Sequence, residues 1–277
     1  MNTLNYINFD IMTKVIAEIG WNHCGDIELA KQFIVSAKES GADYAKFQTW
    51  STSRLKNGAW DEDGRREIYE KAELSKEDHL DLIQCCKINN ISFLSSVFSI
   101  PDAQLLKDLN CDIVKIPSFE SRNKELITFC DNNFKEIIMS CGTSTFDEIK
   151  ESIQLINKAD LYLMHCVSVY PQEYAEANIP KMQRLKSLCK KVGLSDHIEG
   201  VESSKIAIGE GAVIIEKHFT IDKDLPGRDN KFAILPHQLK DLTEFIKNRE
   251  LMLKDLGLGF NPKENDSRTN YTGRFNG

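Results

Sequence analysis

The sequence predicts an α/β protein, a (β/α)8 TIM barrel over residues 1–256, and three observations carry that expectation. Short apolar runs rich in β-branched and aromatic residues recur eight times, with helix-patterned segments between them. Such alternation favours parallel strands, because a parallel connection must travel back along the sheet before the next strand begins. A chain of 277 residues matches one barrel of this kind. Polar and ionisable residues gather near the ends of the runs, where such barrels carry their chemistry.

Taken in order, strands are expected at 15–19, 44–49, 92–98, 113–116, 136–140, 161–167, 192–195 and 213–219. Residues 27–39 place Leu29, Phe33 and Ala37 on one helical face, and Gly41 supplies a stop. Ser75 with Asp78, and Thr145 with Glu148, mark the starts of two later helices, where a hydroxyl and an acid cap the first turn reciprocally. An open doubly wound sheet would show the same alternation. The first glycine turn, G-W-N-H-C-G-D, lacks the G-x-G-x-x-G spacing of a dinucleotide site, which weighs against that alternative. Residues 257–277 are rich in turn formers and read as a tail with no second domain.

Composition narrows the function. Acidic residues (42) outnumber basic ones (35) and the basic residues are dispersed, which argues against a nucleic-acid partner. An anionic small substrate needs only a few converging cations. The N-terminus has neither a basic start nor an unbroken apolar core, and no apolar run approaches about 18 residues, so a soluble, cytoplasmic protein with no membrane partner is expected. Eight scattered cysteines without a C-x-x-C pair read as reduced thiols.

The polar interruptions are Glu18; Lys46 and Gln48; Ser95 and Ser96; Lys115 and Ser118; Ser140; His165 and Ser168; Ser195, Asp196 and His197; and Glu216, Lys217 and His218. Lys46 and Gln48 stand two apart on one strand, as do Glu216 and His218, so each pair points to one side. A single buried lysine is commonly an ion-pair partner, but the same oddity at several strand ends describes a site. Two lysines supplemented by serines suit a phosphate and a carboxylate on one small substrate. His197 and His218, ending adjacent strands, can ligate a divalent metal with carboxylate or water completing the shell; they would equally orient a base or serve as hydrogen-bonded structural residues. Cys24 beside His23 lacks the geometry and the third group of a thiol nucleophile, while His23 could help close the first rim loop. Cys141 and Cys166 read as small buried hydrophobes. Trp21, Trp50, Trp60 and Tyr170 are candidates for a sugar pocket or for packing.

The motifs A-E-I-G-W-N-H-C-G-D at 17–26, G-A-D-Y-A-K-F-Q-T at 41–49 and K-I-P-S-F-E at 115–120 resemble the sialic acid synthase family. So do H-C-V-S-V-Y-P at 165–171, G-L-S-D-H at 193–197 and E-K-H-F-T-I-D-K-D-L-P-G-R-D-N-K at 216–231. The ordered set spans roughly residues 15–240, nearly the whole barrel. It implies a phosphoenolpyruvate-dependent condensation with an open-chain amino sugar, N-acetylmannosamine or a modified relative, giving a nine-carbon 2-keto acid and phosphate. It also implies a divalent metal, Mn2+ or Mg2+. Residue by residue, His197 and His218 match the metal ligands. Lys46, Ser96, Lys115, Ser140 and Ser195 match the phosphoenolpyruvate set, and Ser118 and Ser168 are grouped with them as substrate-binding. Gln48, Glu120 and Tyr170 match positions near the sugar or the reaction centre, and Glu18 and Glu216 resemble acid/base or water-orienting groups. By the same resemblance Lys217 points away from the mouth.

The sequence also departs from the family. Its members typically carry a C-terminal antifreeze-like domain whose arginine reaches the partner subunit's sugar, and neither Arg268 nor Arg274 matches that arginine. G-R-D-N at 227–230 replaces the commoner G-P-D-H, Cys141 stands where threonine is frequent, and Arg228 is either a replacement contact or a solvent-facing charge. The expected partners are therefore a second copy in a homodimer or a separately encoded cap domain. Two alternatives stand beside the leading expectation: a related synthase with a different sugar acceptor, and a non-catalytic sugar-phosphate-binding barrel.

Overall fold

In the computed structural model, which describes residues 12–58 and 61–276, eight parallel strands close into a barrel in chain order. They are β1 (Lys14–Gly20), β2 (Tyr44–Thr49), β3 (Ser92–Val97), β4 (Ile113–Ile116), β5 (Glu136–Ser140), β6 (Asp160–Cys166), β7 (Val192–Asp196) and β8 (Ile214–His218), with β1 pairing β8 to shut the ring. Each lies within a residue or so of its expected position.

Period-two alternation divides every strand between two environments. Outward residues such as Val15, Ala17, Phe47, Met139 and Ile215 join the helices in the larger apolar cluster. Inward residues Ile16, Tyr44, Leu94, Ile138, Tyr162, Met164 and Ile214 fill the barrel with a smaller one. Above that apolar floor the inward positions turn polar. The register levels them: Glu18 lies opposite Lys46 and His218, Ser96 opposite Lys115, and Ser195 opposite Glu216.

The first helix, α1 (Ile27–Glu39), is capped by Asp26 and buries Phe33 and Ala37, as its spacing predicts. Gly41 follows at φ +89°, where a side chain would also meet Thr243. The second crossover holds two helices, α2 (Arg65–Ala72) and α3 (Lys76–Ile88), the latter opened by the expected Ser75–Asp78 capping box. Then come α4 (Ile100–Asp108), α5 (Lys124–Asn133), α6 (Phe146–Ile153) with its Thr145–Glu148 box, α7 (Ile179–Leu185), α8 (Glu202–Gly209) and α9 (Pro236–Met252). Residues 253–276 are exposed throughout, yet they include a short helix, α10 (Asn265–Asn270), that turn-forming composition did not reveal. The arginines there stack locally, Arg268 over Phe260 and Arg274 over Tyr271.

Alternation also sorts the polar interruptions. Ser95, His165, Asp196 and Lys217 face the helices: Ser95 bonds Thr49, which meets His79 of α3, and His165 bonds the Ala177 carbonyl. Asp196 accepts from Ser203 and Ser204 of α8 and pairs with Lys217 at 3.2 Å. These four stitch the barrel to its outer layer.

Close approach of β7 to β8 depends on one glycine. A Cβ at Gly193 would lie 2.1 Å from the Ile214 carbonyl oxygen and 2.4 Å from its side chain. Gly193→Ala is expected to lower stability by at least about 2 kcal/mol, because the clash is with backbone that cannot rotate away. An unchanged midpoint in urea unfolding would refute this spacing.

Candidate active site

Four charged side chains meet inside the barrel mouth, each no more than 5% exposed. The Lys46 ammonium lies 2.6 Å from Glu18 Oε2 and 3.4 Å from Glu216 Oε2, and Lys115 contacts both Glu216 oxygens at 3.1 Å. Gln48 donates to Glu18 Oε1 at 2.6 Å and Ser195 donates to Glu216 Oε1 at 2.9 Å. Two cations and two anions cancel, which is how such groups tolerate burial.

Their ionisation is nevertheless unequal. Burial would raise the Glu216 carboxyl, but Lys115 and Lys46 outweigh it and hold that carboxyl well below its ordinary range. Burial raises Glu18 and the neighbouring Glu216 charge adds to it, so the Lys46 contact does not bring Glu18 down. Burial opposes the charge on Lys46, yet its two carboxylates raise it; Lys115, with Lys46 nearby, stays lowered by burial. Glu18 is thus the carboxyl of the two that more readily holds a proton.

Hydroxyl groups line the β3–β6 side. Ser118 Oγ accepts from the Gly142 N–H at 3.1 Å, and a Cβ at Gly142 would fall 2.7 Å from Ser168 Oγ and 2.8 Å from Ser118 Oγ. The two hydroxyls therefore converge over bare backbone. Ser140 Oγ is buried without a partner, and Ser96 is buried opposite Lys115. Hydroxyls beside an ammonium on one side of the barrel mouth are donors that a phosphate or carboxylate uses.

The other side carries the histidines, their rings 5.4 Å apart. His197 Nδ1 lies 2.8 Å from the Val167 carbonyl, which can only accept, so Nδ1 bears a proton and Nε2 is the nitrogen that titrates or ligates; burial opposes the charge on this ring, but Cys166 and the Val167 bond outweigh it and raise its pKa. Burial and the positive neighbours His197 and Lys46 hold His218 well below its ordinary pKa, leaving its imidazole neutral. His218 Nδ1 has no hydrogen bond, but Asp229 Oδ2 stands 3.5 Å away, and burial pushes that carboxyl to about 6. Tyr170 covers His197 at 4.1 Å between ring centres. Among the described residues no group of three His, Cys, Asp or Glu is arranged as a complete metal site. Two neighbouring imidazoles, His218 neutral and His197 able to give up its Nε2 proton to a metal, still fit a catalytic divalent ion whose remaining ligands are substrate and water.

Some expectations fall elsewhere. Glu120, half-buried in the turn after β4, accepts from Asn123 at 2.8 Å and has no contact with the charged quartet. Cys24 donates to the Pro226 carbonyl, and His23 accepts from Gly25 within the first rim loop. Trp21 and Trp50 pack with Tyr69, while Trp60 lies outside the described residues. Two neighbours of the site were missed: Asp229, and Cys166, whose Sγ lies 4.0 Å from His197 Nδ1. The period-two rule places Cys166 inward with Met164, so its strand position was the signal.

Residues 33–257 match the NeuB family, four-fifths of the chain. The chain belongs to the NeuB family. It is 37% identical over 261 residues to the N,N'-diacetyllegionaminic acid synthase of Campylobacter jejuni, covering 88% of this chain and 78% of that one. It is 35% identical over 270 residues to the pseudaminic acid synthase of Helicobacter pylori, covering 92% and 79%. The crystal structure of the N-acetylneuraminic acid synthetase of Leptospira borgpetersenii, in complex with citrate, superposes with a TM-score of 0.85 at 30% identity, covering 99% of this chain and 97% of that chain. The NeuB relationship upholds the resemblance read from the motifs. As for membranes, no helix among the described residues is long and apolar enough to cross one.

Glu216 has its pKa depressed below its ordinary 4.5, so its contribution to stability is full above that value and is lost as pH falls toward the folded-state pKa. Glu216→Gln should therefore be less stable than the parent at about pH 7, by roughly 3 kcal/mol for a broken buried pair. The gap should narrow below about pH 4.5. A gap independent of pH, in denaturant melts of both proteins, would contradict the ionic role.

Proposed function

We propose that this NeuB-family enzyme joins phosphoenolpyruvate to the aldehyde of an open-chain amino sugar, giving a nine-carbon 2-keto sugar acid and phosphate. The observation that carries the reading is the buried quartet of two lysines and two carboxyls, flanked on one side by an anion-accepting set of hydroxyls and on the other by two imidazoles. Relatives named for N,N'-diacetyllegionaminic and pseudaminic acids support an acceptor of the acylamino-sugar class.

Under this reading Lys115, Lys46 and Ser195, with Ser96, Ser118, Ser140 and Ser168, neutralise and orient the phosphate and carboxylate of phosphoenolpyruvate. His197 and His218 would hold a divalent ion, Mn2+ or Mg2+, which supplies polarisation of the sugar aldehyde. Carbon 3 of the enol bonds to the aldehyde carbon, and the aldehyde oxygen takes up a proton. Glu18, raised by burial and oriented by Gln48, is suited to give that proton. Water then adds at carbon 2 with Glu216 beside it as an anion; one proton of the water returns to Glu18 and the other goes with the phosphate, which leaves with its bridging oxygen as the bond from that oxygen to carbon 2 breaks and the ketone forms. Tyr170 covers His197 and excludes bulk water from the reacting face. Glu120, held by Asn123 at the rim, is placed for the distal part of the sugar.

The test is phosphate release from phosphoenolpyruvate with manganese across a panel of amino and neutral sugars, with products weighed by mass spectrometry. Sugar-dependent release with addition of the three-carbon unit is expected; release without any sugar would sink the condensation. Lys115→Ala should lower kcat/KM for phosphoenolpyruvate by about 100-fold or more. His218→Ala should fold while losing metal-dependent turnover, and restored wild-type rates on metal addition would reject it as a ligand.

A further inference from the structure

We infer that Asn230 is a positioning residue for the metal-binding imidazole His218, acting through Asp229; this rests on the reading of His197 and His218 as a metal pair. Asn230 is fully buried in the loop that follows β8. Its Nδ2 donates to the Pro226 carbonyl at 2.8 Å and the Asn22 carbonyl at 3.4 Å, and its Oδ1 accepts from Thr220 Oγ1 at 2.6 Å. Two carbonyls can only accept, so the amide has one permitted orientation, nitrogen toward Pro226 and Asn22 and oxygen toward the hydroxyl. An aspartate would turn an anionic oxygen onto two carbonyls, and an alanine would abandon all three groups.

These bonds join two loops distant in sequence. Asn22 donates in return to the Phe219 carbonyl at 2.9 Å, and the Cys24 thiol to the Pro226 carbonyl at 3.0 Å. Between them Gly227 takes φ +118°, and a Cβ there would lie 3.1 Å from Asn230 Nδ2 and 3.3 Å from Cys24 Sγ. The loop is thus wound around the amide with no space for a side chain at its turn. Its ends are fixed by backbone bonds, Thr220 N–H to the Ile234 carbonyl and Ile234 N–H to the His218 carbonyl; in its middle the Asn230 side chain makes three bonds, beside the Cys24–Pro226 contact and the Ala233 N–H to the Asp229 carbonyl.

That middle is where Asp229 sits. Its carboxylate oxygen is 3.5 Å from His218 Nδ1, within a small shift of a hydrogen bond, and it is the acid the structure places against that nitrogen. A ligating imidazole relies on the partner of its other nitrogen to fix tautomer and ring angle. Releasing Asn230 frees Asp229 to rotate into the mouth. His218 then loses the acid that stands nearest its Nδ1.

The experiment is Mn2+ titration of the metal-free full-length chain, with free Mn2+ read by electron paramagnetic resonance, for the parent, Asn230→Ala, Asp229→Asn, the double variant and His218→Ala. Asn230→Ala is expected to weaken Mn2+ by about tenfold or more, the range for loss of an outer partner of a ligand. In the Asp229→Asn background the same change should have little further effect, since both act on one contact. The 15N shifts of His218 without metal should show one tautomer in the parent and a mixture in Asn230→Ala. Should Asn230→Ala fold poorly, Thr220→Val, which removes the hydroxyl that meets Oδ1 and Asp222 but leaves both Nδ2 bonds, is expected to weaken Mn2+ a few-fold. Unchanged affinity, or a loss undiminished in the Asp229→Asn background, overturns the inference while the metal reading stands. Parent-like affinity in His218→Ala overturns the metal reading and the inference with it.

Discussion

The contact on which the rest depends is Glu216 with its two lysines. A carboxylate buried in a barrel would ordinarily take up a proton. Lys115 on both oxygens, Lys46 on one and the Ser195 hydroxyl keep it charged, and it in turn keeps two ammonium groups inside an apolar shell. The four strands that carry these residues are therefore bound by charge as well as by ladder hydrogen bonds. Removing any member strands the others without water.

Such a cluster exists only because the barrel closes in register. β4 and β8 lie on opposite sides of the ring, and Lys115 and Glu216 are 101 residues apart in sequence, yet both point inward at one level above the apolar floor. A one-residue slip of β8 would exchange Glu216 for Lys217. Lys217 is instead committed to Asp196 and the Ile198 carbonyl on the outer face, so the wrong register leaves both faces with unpaired charge. Polar residues on adjacent positions thus reinforce a single pairing.

Much of this was legible in the amino-acid order, because alternation is a local property. Lys46 with Gln48, and Glu216 with His218, announce a shared side of their strands by spacing alone. Ser95, His165 and Asp196 look equally out of place in apolar strands, and only their neighbours on the helices explain them. Asp229 was not legible, since it sits in an irregular loop whose path depends on Asn230 and Asn22 meeting across more than two hundred residues of sequence. Loops carry no periodicity from which to read a direction. The motif resemblance crossed that gap for the fold and the chemistry but not for this loop, where G-R-D-N departs from the commoner pattern.

The two lysines of the mouth are not equally compensated. Lys46 has two different carboxylates at 2.6 and 3.4 Å and is raised, whereas Lys115 has only Glu216 and is lowered by burial. An arriving anion gains most where positive charge is least compensated, beside Lys115. That lysine adjoins the hydroxyl side of the mouth, with Ser96 opposite it and Ser118, Ser140 and Ser168 on the neighbouring strand ends. Glu18, Asp229 and the imidazoles occupy the β7–β8–β1 side, where a neutral carbonyl brings no charge to compete with the Glu18–Lys46 pair. Under the proposed condensation the two substrates would meet across the barrel axis, with the new carbon–carbon bond formed over Glu216, whose fixed negative charge would face the cationic character that develops at carbon 2 once the enol electrons are spent.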